Sequence, residues 1–343
     1  MNFAMWRKAL NVIPEVSKAE WDALDVISKW LISTRAAVLV MTFISAALAG
    51  LFAWRDGSFS FLPWIALTLG LILAHASNNI FNDYTDYVRG VDKDNYYRNI
   101  YGAQPVASGL MTKRQHLTYF AVTALAALAI GLYLISYTGY SVTTWTLLGL
   151  GAFFLLFYTW PLKGLALGEV AVMIVWGPLM IGGGHFVLTH QWNWFVVIAS
   201  LPYVLGVTTV IFGKHIDKLD MDVKKGIHTL PVVIGEKASR YAVLTMMIAP
   251  YILTLYLIAV KFFTPVMLII FLAVPTLLQI YPKFLQPKPK TQPEGQIGWP
   301  LYFVGYAFVN NKKFGSLFMF GLLIDVFLRV VPFTADLIKM YWS

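Results

Sequence analysis

Nearly uncharged runs of about 20 residues recur along most of this chain, the length a helix needs to cross a bilayer. Nine stand out, at 33–54, 61–81, 117–136, 143–160, 167–189, 194–213, 241–260, 263–281 and 314–334. Inside lipid no water is available to bond backbone amides, so each run must be helical. The expected fold class is therefore all-α, a polytopic membrane protein with about nine transmembrane helices. Only 13% of the residues are charged, against about a quarter in a soluble domain, so a soluble core is excluded.

The formal net charge of +9 reads as orientation. Of 26 Lys and Arg residues, all but Arg55, Lys261, Arg329 and Lys339 fall on the N-terminus and the even-numbered connections. Positive charge collects on the cytoplasmic side, which places the N-terminus inside. With no soluble basic domain, nucleic acid is not an expected partner. The absence of cysteine excludes disulfides, thiolate metal sites and cysteine nucleophiles. The first 30 residues are mixed and amphipathic, unlike a signal peptide. Within them "SKAEWDALDVISKWL" reads as one interfacial helix, with a Ser17–Glu20 capping box and Trp21, Leu24, Ile27 and Leu31 on one face. "PKPKTQPEGQ" reads as a loop, and "WPLYFVGYAF" as a piece too short to span that lies at the interface. The whole of 1–343 is expected to be one domain, with 1–32 as an interfacial segment.

Two acidic clusters end apolar runs on the same side. The second span leads into "NNIFNDYTDYVRG" and the sixth into "FGKHIDKLDMDVKKG". If the first helix continues through residue 86, His75, Asn79, Asn82, Asp83 and Asp86 fall along one face, carrying amide and carboxylate oxygens. On the sixth span Lys214 and Asp217 share a face, followed by Asp220 and Asp222, with a helix break expected in "KKGIHTLPVVIG". Two carboxylate clusters facing each other in low dielectric need raised pKa values or a cation between them. Hard oxygen ligands without thiols suit Mg²⁺, which shares readily with phosphate oxygens. The nearby Arg89, Lys163, Lys214, Lys224 and Lys225 suit a diphosphate. An anionic head beside lipid points to a prenyl diphosphate, ionised with help from Mg²⁺ and lysines, its carbocation captured by a nucleophile in a dry cavity.

At these residues the chain resembles the UbiA superfamily of intramembrane prenyltransferases. The resemblance implies nine helices around a central cavity and two aspartate motifs that bind Mg²⁺–diphosphate. The first motif, NDxxDxxxD, is Asn82-Asp83-x-x-Asp86 here, with Gly90 in the last place and Asp92 two residues on. This form looks like the branch that prenylates 1,4-dihydroxy-2-naphthoate in menaquinone synthesis. In the second motif, DxxxD, Asp222 holds the last place and Lys218 the first, with Asp217 and Asp220 as the alternative ligands. "GIHTLPVVIG" and "YTWPLKGLALGE" also match, and Tyr158 and Lys163 correspond to a tyrosine and a basic residue that act on the diphosphate. Gln104 stands where members often carry arginine, with Arg98 as a substitute.

The resemblance thus implies metal ligation by Asp83, Asp86, Asp217, Asp220 and Asp222, and diphosphate binding by Asn79, Asn82, Arg89, Lys163, Lys214 and Lys224. Tyr158, Lys163, Asp86 and Asp217 are the expected catalytic residues. The expected partners are a prenyl diphosphate, an aromatic or lipid acceptor and the bilayer, and the expected location is a prokaryotic inner membrane with the site facing the cytoplasm. The oligomeric state is left open. Other readings keep the ionisation and change the acceptor to a lipid or sugar phosphate, a porphyrin-type alcohol or an internal alkene. A cation-coupled transporter belongs to a different class and predicts carboxylates near the bilayer midplane.

Overall fold

The computed structural model describes residues 1–90, 102–295 and 299–342, and among them every regular element is helical. The chain divides into two compact units, residues 1–47 with 60–162, and residues 48–59 with 163–343. Eight helices among the described residues are long and apolar enough to cross a membrane.

The first unit begins with three short helices, α1 (Phe3–Asn11), α2 (Lys18–Ala23) and α3 (Val26–Ser33). The Ser17–Glu20 capping box forms as expected. The single interfacial helix does not, because Asp25 starts a helix of its own. Its carboxylate accepts from Ser28 N at 2.9 Å and Ser28 Oγ at 3.0 Å, which caps α3 and breaks the chain after Leu24. The same carboxylate accepts from Asn2 N at 2.7 Å and Trp6 Nε1 at 3.1 Å, tying α1 to α3. Trp21 and Leu24 pack into protein with Ala9, Ile32, Leu110 and Met111.

The spans of this unit follow. α4 (Val40–Arg55) starts in it and ends in the second unit. α5 (Phe61–Val88) packs along α6 (Lys113–Tyr137), where Phe81 stacks on Phe120 and His116 Nε2 donates to Ile80 O at 2.9 Å. Thr112 and Gln115 form a second capping box at the start of α6. α7 (Val142–Phe157) ends where Trp160 leaves helical backbone.

In the second unit α8 (Gly168–Thr189) widens into a π-turn over Val175–Gly182, around Pro178, which has no N–H to give an ordinary turn. α9 (Trp194–Asp217) is the central helix, packed against α8, α12 (Glu236–Ala259) and α14 (Phe303–Val330). Between them lie the short α10 (Leu219–Lys224) and α11 (Leu230–Ile234), and α13 (Pro265–Leu285). α15 (Pro332–Trp342) closes the chain.

The last long helix departs from expectation. Residues 303–308 are not a separate interfacial piece but the first turns of α14, which runs unbroken for 28 residues. The polar stretch 310–313, which looked like a boundary, is helix-permissive and lies inside the helix.

Away from α14's first turn, a charge network joins several elements, with Asp325 and His185 buried and Asp56 exposed. Asp325 Oδ1 accepts from Thr264 N at 2.6 Å, and Arg329 Nε lies 3.4 Å from Asp325 Oδ2, the i,i+4 pair that the spacing implies. Arg55 Nε donates to Asp56 Oδ1 at 2.9 Å, and His185 Nε2 lies 2.9 Å from Asp56 Oδ2. The Arg55 guanidinium also sits over the Phe262 ring at 4.0 Å.

The Asp25 hub gives a pH test. The Ser28 backbone bond most of all, with Asn2 and Trp6, outweighs burial and holds this carboxyl below the usual carboxylate range. The tie is therefore fully present above the free carboxyl pKa of about 4 and is lost as pH falls through the lowered value. A spin label on a cysteine introduced at Ala4 should stay immobile down to about pH 4 in the parent and loosen below it. In Asp25→Ala the label should be mobile at every pH; an immobile label there would remove the hub role.

Candidate functional site

The first acidic motif lies on the last three turns of α5, on one face as its spacing predicts. Asp83 and Asp86 are both 97% buried. Asn79 Nδ2 donates to Thr34 O at 2.8 Å, which pins the break between α3 and α4. Arg35, the next residue, adopts left-handed backbone (φ 53°) and points its guanidinium at Asp83 Oδ1, forming a buried ion pair. This arginine stood in the sequence as a lone charge at the head of an apolar run, where a topology signal was the ordinary reading.

Two oxygens of the motif have no donor among the described residues. Asp83 Oδ2 and Asn82 Oδ1 are buried without a hydrogen bond. A buried acceptor left bare costs about 1–3 kcal/mol and calls for an explanation. Hard, uncrowded oxygens of this kind fit Mg²⁺. His75 is engaged elsewhere, 2.7 Å from Thr42 Oγ1, as a packing residue. Arg89 caps the exposed end of α5 with its guanidinium 5.3 Å from the Trp160 ring. Asp92 and Arg98 lie outside the described residues.

The second motif spans the end of α9 and the whole of α10. The helix breaks at Lys218, earlier than expected. Asp217, expected as a ligand, has both oxygens occupied by backbone. Oδ1 accepts from Phe303 N and Oδ2 from Val304 N, each at 3.0 Å, so the carboxylate meets the positive end of α14. Lys288 adds its ammonium, 3.0 Å from Asp217 O and 3.5 Å from Oδ1. Gly213 makes room for this approach, since a Cβ there would lie 2.8 Å from Val304 N.

Asp222 is 98% buried, pairs with Lys218 Nζ at 2.9 Å and lies 3.5 Å from Thr229 Oγ1. Asp220, Lys224 and His228 are exposed, and Lys214 is half-buried. Beside the motif His215 Nδ1 meets Glu169 Oε1 at 2.5 Å, which ties α9 to the start of α8 just after the Lys163 loop. Sequence had given neither Glu169 nor Lys288 a role; each is remote from the motif in the chain. Tyr158 and Lys163 are half-buried on either side of the Trp160 break. Within either unit, among the described residues, no three His, Asp or Glu side chains form a ready-made metal cage.

Residues 43–296 match the UbiA prenyltransferase family. The chain belongs to that family. A UbiA prenyltransferase domain-containing protein 1 homolog from Drosophila melanogaster is 24% identical over 63% of this chain. The match spans 59% of the Drosophila protein, less than two thirds of it. A 1,4-dihydroxy-2-naphthoate octaprenyltransferase from Bacillus subtilis is 23% identical over 86% of this chain and 92% of its own length. Among solved structures, a UbiA homolog from Aeropyrum pernix K1 superposes with a TM-score of 0.60 at 17% identity, covering 88% of this chain and 99% of that one. One from Archaeoglobus fulgidus, bound to DMAPP and Mg²⁺, gives 0.51 at 12% identity, covering 85% and 99%. The fold is therefore the membrane-embedded UbiA fold. Relatives in animals and bacteria alike leave the expectation of a prokaryotic source without support.

The Arg35–Asp83 pair sets a stability test. Arg35→Gln strips the counter-charge from a buried carboxylate and should cost about 3–5 kcal/mol, read as a lower thermal unfolding midpoint in detergent. The double variant Arg35→Gln/Asp83→Asn should recover most of the loss. Additive losses would mean that the two side chains are not coupled.

Proposed function

We propose that this chain transfers a polyprenyl group from a prenyl diphosphate to an aromatic, quinone-precursor acceptor in the membrane. The observation that carries the reading is the pair of bare, buried oxygens on Asn82 and Asp83, beside buried Asp86. In a chain of this family they suit a divalent cation that arrives with a diphosphate.

Asp83 and Asp86 are the metal ligands of the first motif in this reading. In the second, ligation passes from Asp217, whose oxygens already hold backbone N–H groups, to Asp222 and Asp220. Arg35 balances Asp83, whose bare Oδ2 would be open to a dication. Mg²⁺, when bound, supplies Lewis-acid stabilisation of charge on the diphosphate oxygens. Lys163, Lys214, Lys224 and Arg89 share that negative charge as the allylic C–O bond breaks and its electron pair leaves with the diphosphate. Asn79 and Asn82 set the edge of the site. The Tyr158 ring offers its π face to the allylic cation, which an electron-rich acceptor carbon captures before losing a proton. The positive-inside pattern puts the end of α5 on the cytoplasmic side. The Bacillus relative, matched along 92% of its length, supports a naphthoate-type acceptor.

The purified protein in nanodiscs should consume geranylgeranyl diphosphate only with Mg²⁺, and a mass increase should identify the acceptor in a pool of aromatic, quinol and lipid candidates. Asp83→Asn and Asp222→Asn should each lower kcat/KM about a hundredfold or more while the protein remains folded. Asp217→Asn should lower stability more than turnover. Unchanged turnover in both Asp83→Asn and Asp222→Asn would overturn the site. Consumption that yields only hydrocarbon or alcohol would replace transfer by cyclisation or hydrolysis.

A further inference from the structure

Several buried threonines within the helices use their hydroxyls locally. Thr68, Thr123, Thr208 and Thr254 each donate to the carbonyl four residues back. Thr159 does not. It is 94% buried, yet its Oγ1 has no hydrogen-bond partner among the described residues. The carbonyl four residues back, Leu155 O, instead accepts from Asn78 Nδ2 of α5 at 2.9 Å. A buried hydroxyl without a partner is uncommon and calls for an explanation.

Its place follows from contacts within the first unit. α6 runs antiparallel to α5, which it meets at Gly70–Ile130 and Ile80–His116. It is antiparallel to α7 as well, meeting it at Gly131–Leu148 and Thr138–Thr144. α5 and α7 are therefore parallel. One turn beyond the Asn78–Leu155 bond, about 6 Å along each helix, Asn82 and Thr159 come level. The backbone stays helical to Thr159 and departs at Trp160. The next contact along is Arg89 over the Trp160 ring, at 5.3 Å, so the level of Asn82 and Thr159 is bracketed on both sides. Asn82 follows Asn78 on the same stripe of α5, and its Oδ1 is bare and buried too.

We propose that Thr159 is a further residue of the cation site, an inference that rests on the reaction proposed above. Its hydroxyl and Asn82 Oδ1 accept hydrogen bonds from water held by the divalent cation. The assignment follows from matching donors to acceptors. Asn82 Oδ1 can only accept, so a phosphate oxygen cannot satisfy it. Mg²⁺ keeps several waters and takes one or two carboxylates. Those waters carry polarised hydrogens that need acceptors, and two bare oxygens level with each other on neighbouring helices supply them. Thr159 is thus a positioning residue that acts on the cation through water and touches neither the diphosphate nor the acceptor.

Mn²⁺ binding to the full chain in detergent, read from the EPR signal of free Mn²⁺ with inorganic diphosphate present and a protein-free blank, tests the proposal. Thr159→Val keeps the shape of the side chain and removes its hydroxyl. It should leave the ligand-free thermal midpoint unchanged or higher and weaken Mn²⁺ binding about tenfold. Thr159→Ser restores a hydroxyl and should bind Mn²⁺ as the parent does. A lowered ligand-free midpoint in Thr159→Val would assign the hydroxyl to the fold and overturn the proposal. A raised KM for prenyl diphosphate with Mn²⁺ affinity intact would also overturn it, by assigning the hydroxyl to the diphosphate. Equal Mn²⁺ affinity in the parent and Thr159→Val removes this role alone. A parent that takes up no Mn²⁺ removes the cation site of the proposed reaction, and this role with it.

Discussion

The second unit depends on one contact, the Asp217 carboxylate against the first two amides of α14. The first amides of any helix lack partners, and in a membrane protein they are expensive to leave bare. Asp217 satisfies two of them and places a full negative charge at the positive end of a helix dipole. Lys288 limits the resulting charge, and Gly213 lets the backbones come close enough. Everything further along α14 inherits its register from this point. Phe314, Phe318 and Leu322 reach the core, and Asp325 arrives at the Thr264 amide.

The two acidic motifs are neutralised in different ways, and the difference sorts their residues. Asp217 is held by backbone amides that cannot leave without unwinding α14. Asp83 is held by the side chain of Arg35, a cation on a flexible stem, and keeps one oxygen bare. A carboxylate of the second kind can exchange one positive partner for another at modest cost, whereas one of the first kind cannot. Asp222, paired with Lys218 four residues before it, is exchangeable in the same sense.

Most of the architecture was legible because lipid leaves a chain few options. Eight expected spans appear as helices with ends moved by a few residues. The polar face of α5 was legible too, because period and residue type agree over three turns. What escaped were contacts between distant parts of the chain. Nothing near Asp217 says that it will cap a helix starting at residue 303, and nothing near Arg35 points to Asp83. The stretch 310–313 misled for a related reason. Polar residues beside an apolar run ordinarily mark a boundary, and only the register imposed by Asp217 carries them inside. At the N-terminus, an aspartate that suits a helix surface equally suits a helix start, and the amide of Asn2 and the indole of Trp6 favour the start.

The charge network around Asp56 and Asp325 has an electrical consequence. Its fixed charges are two arginines, Arg55 and Arg329, and two aspartates, with His185 as a hydrogen-bonding link. The formal charges of the four sum to zero. A membrane potential does work of about 2.3 kcal/mol per 100 mV on each unit charge carried across it. On a set with no net charge that work cancels when its members move together. The potential therefore does no net work on these four charges when they are displaced together.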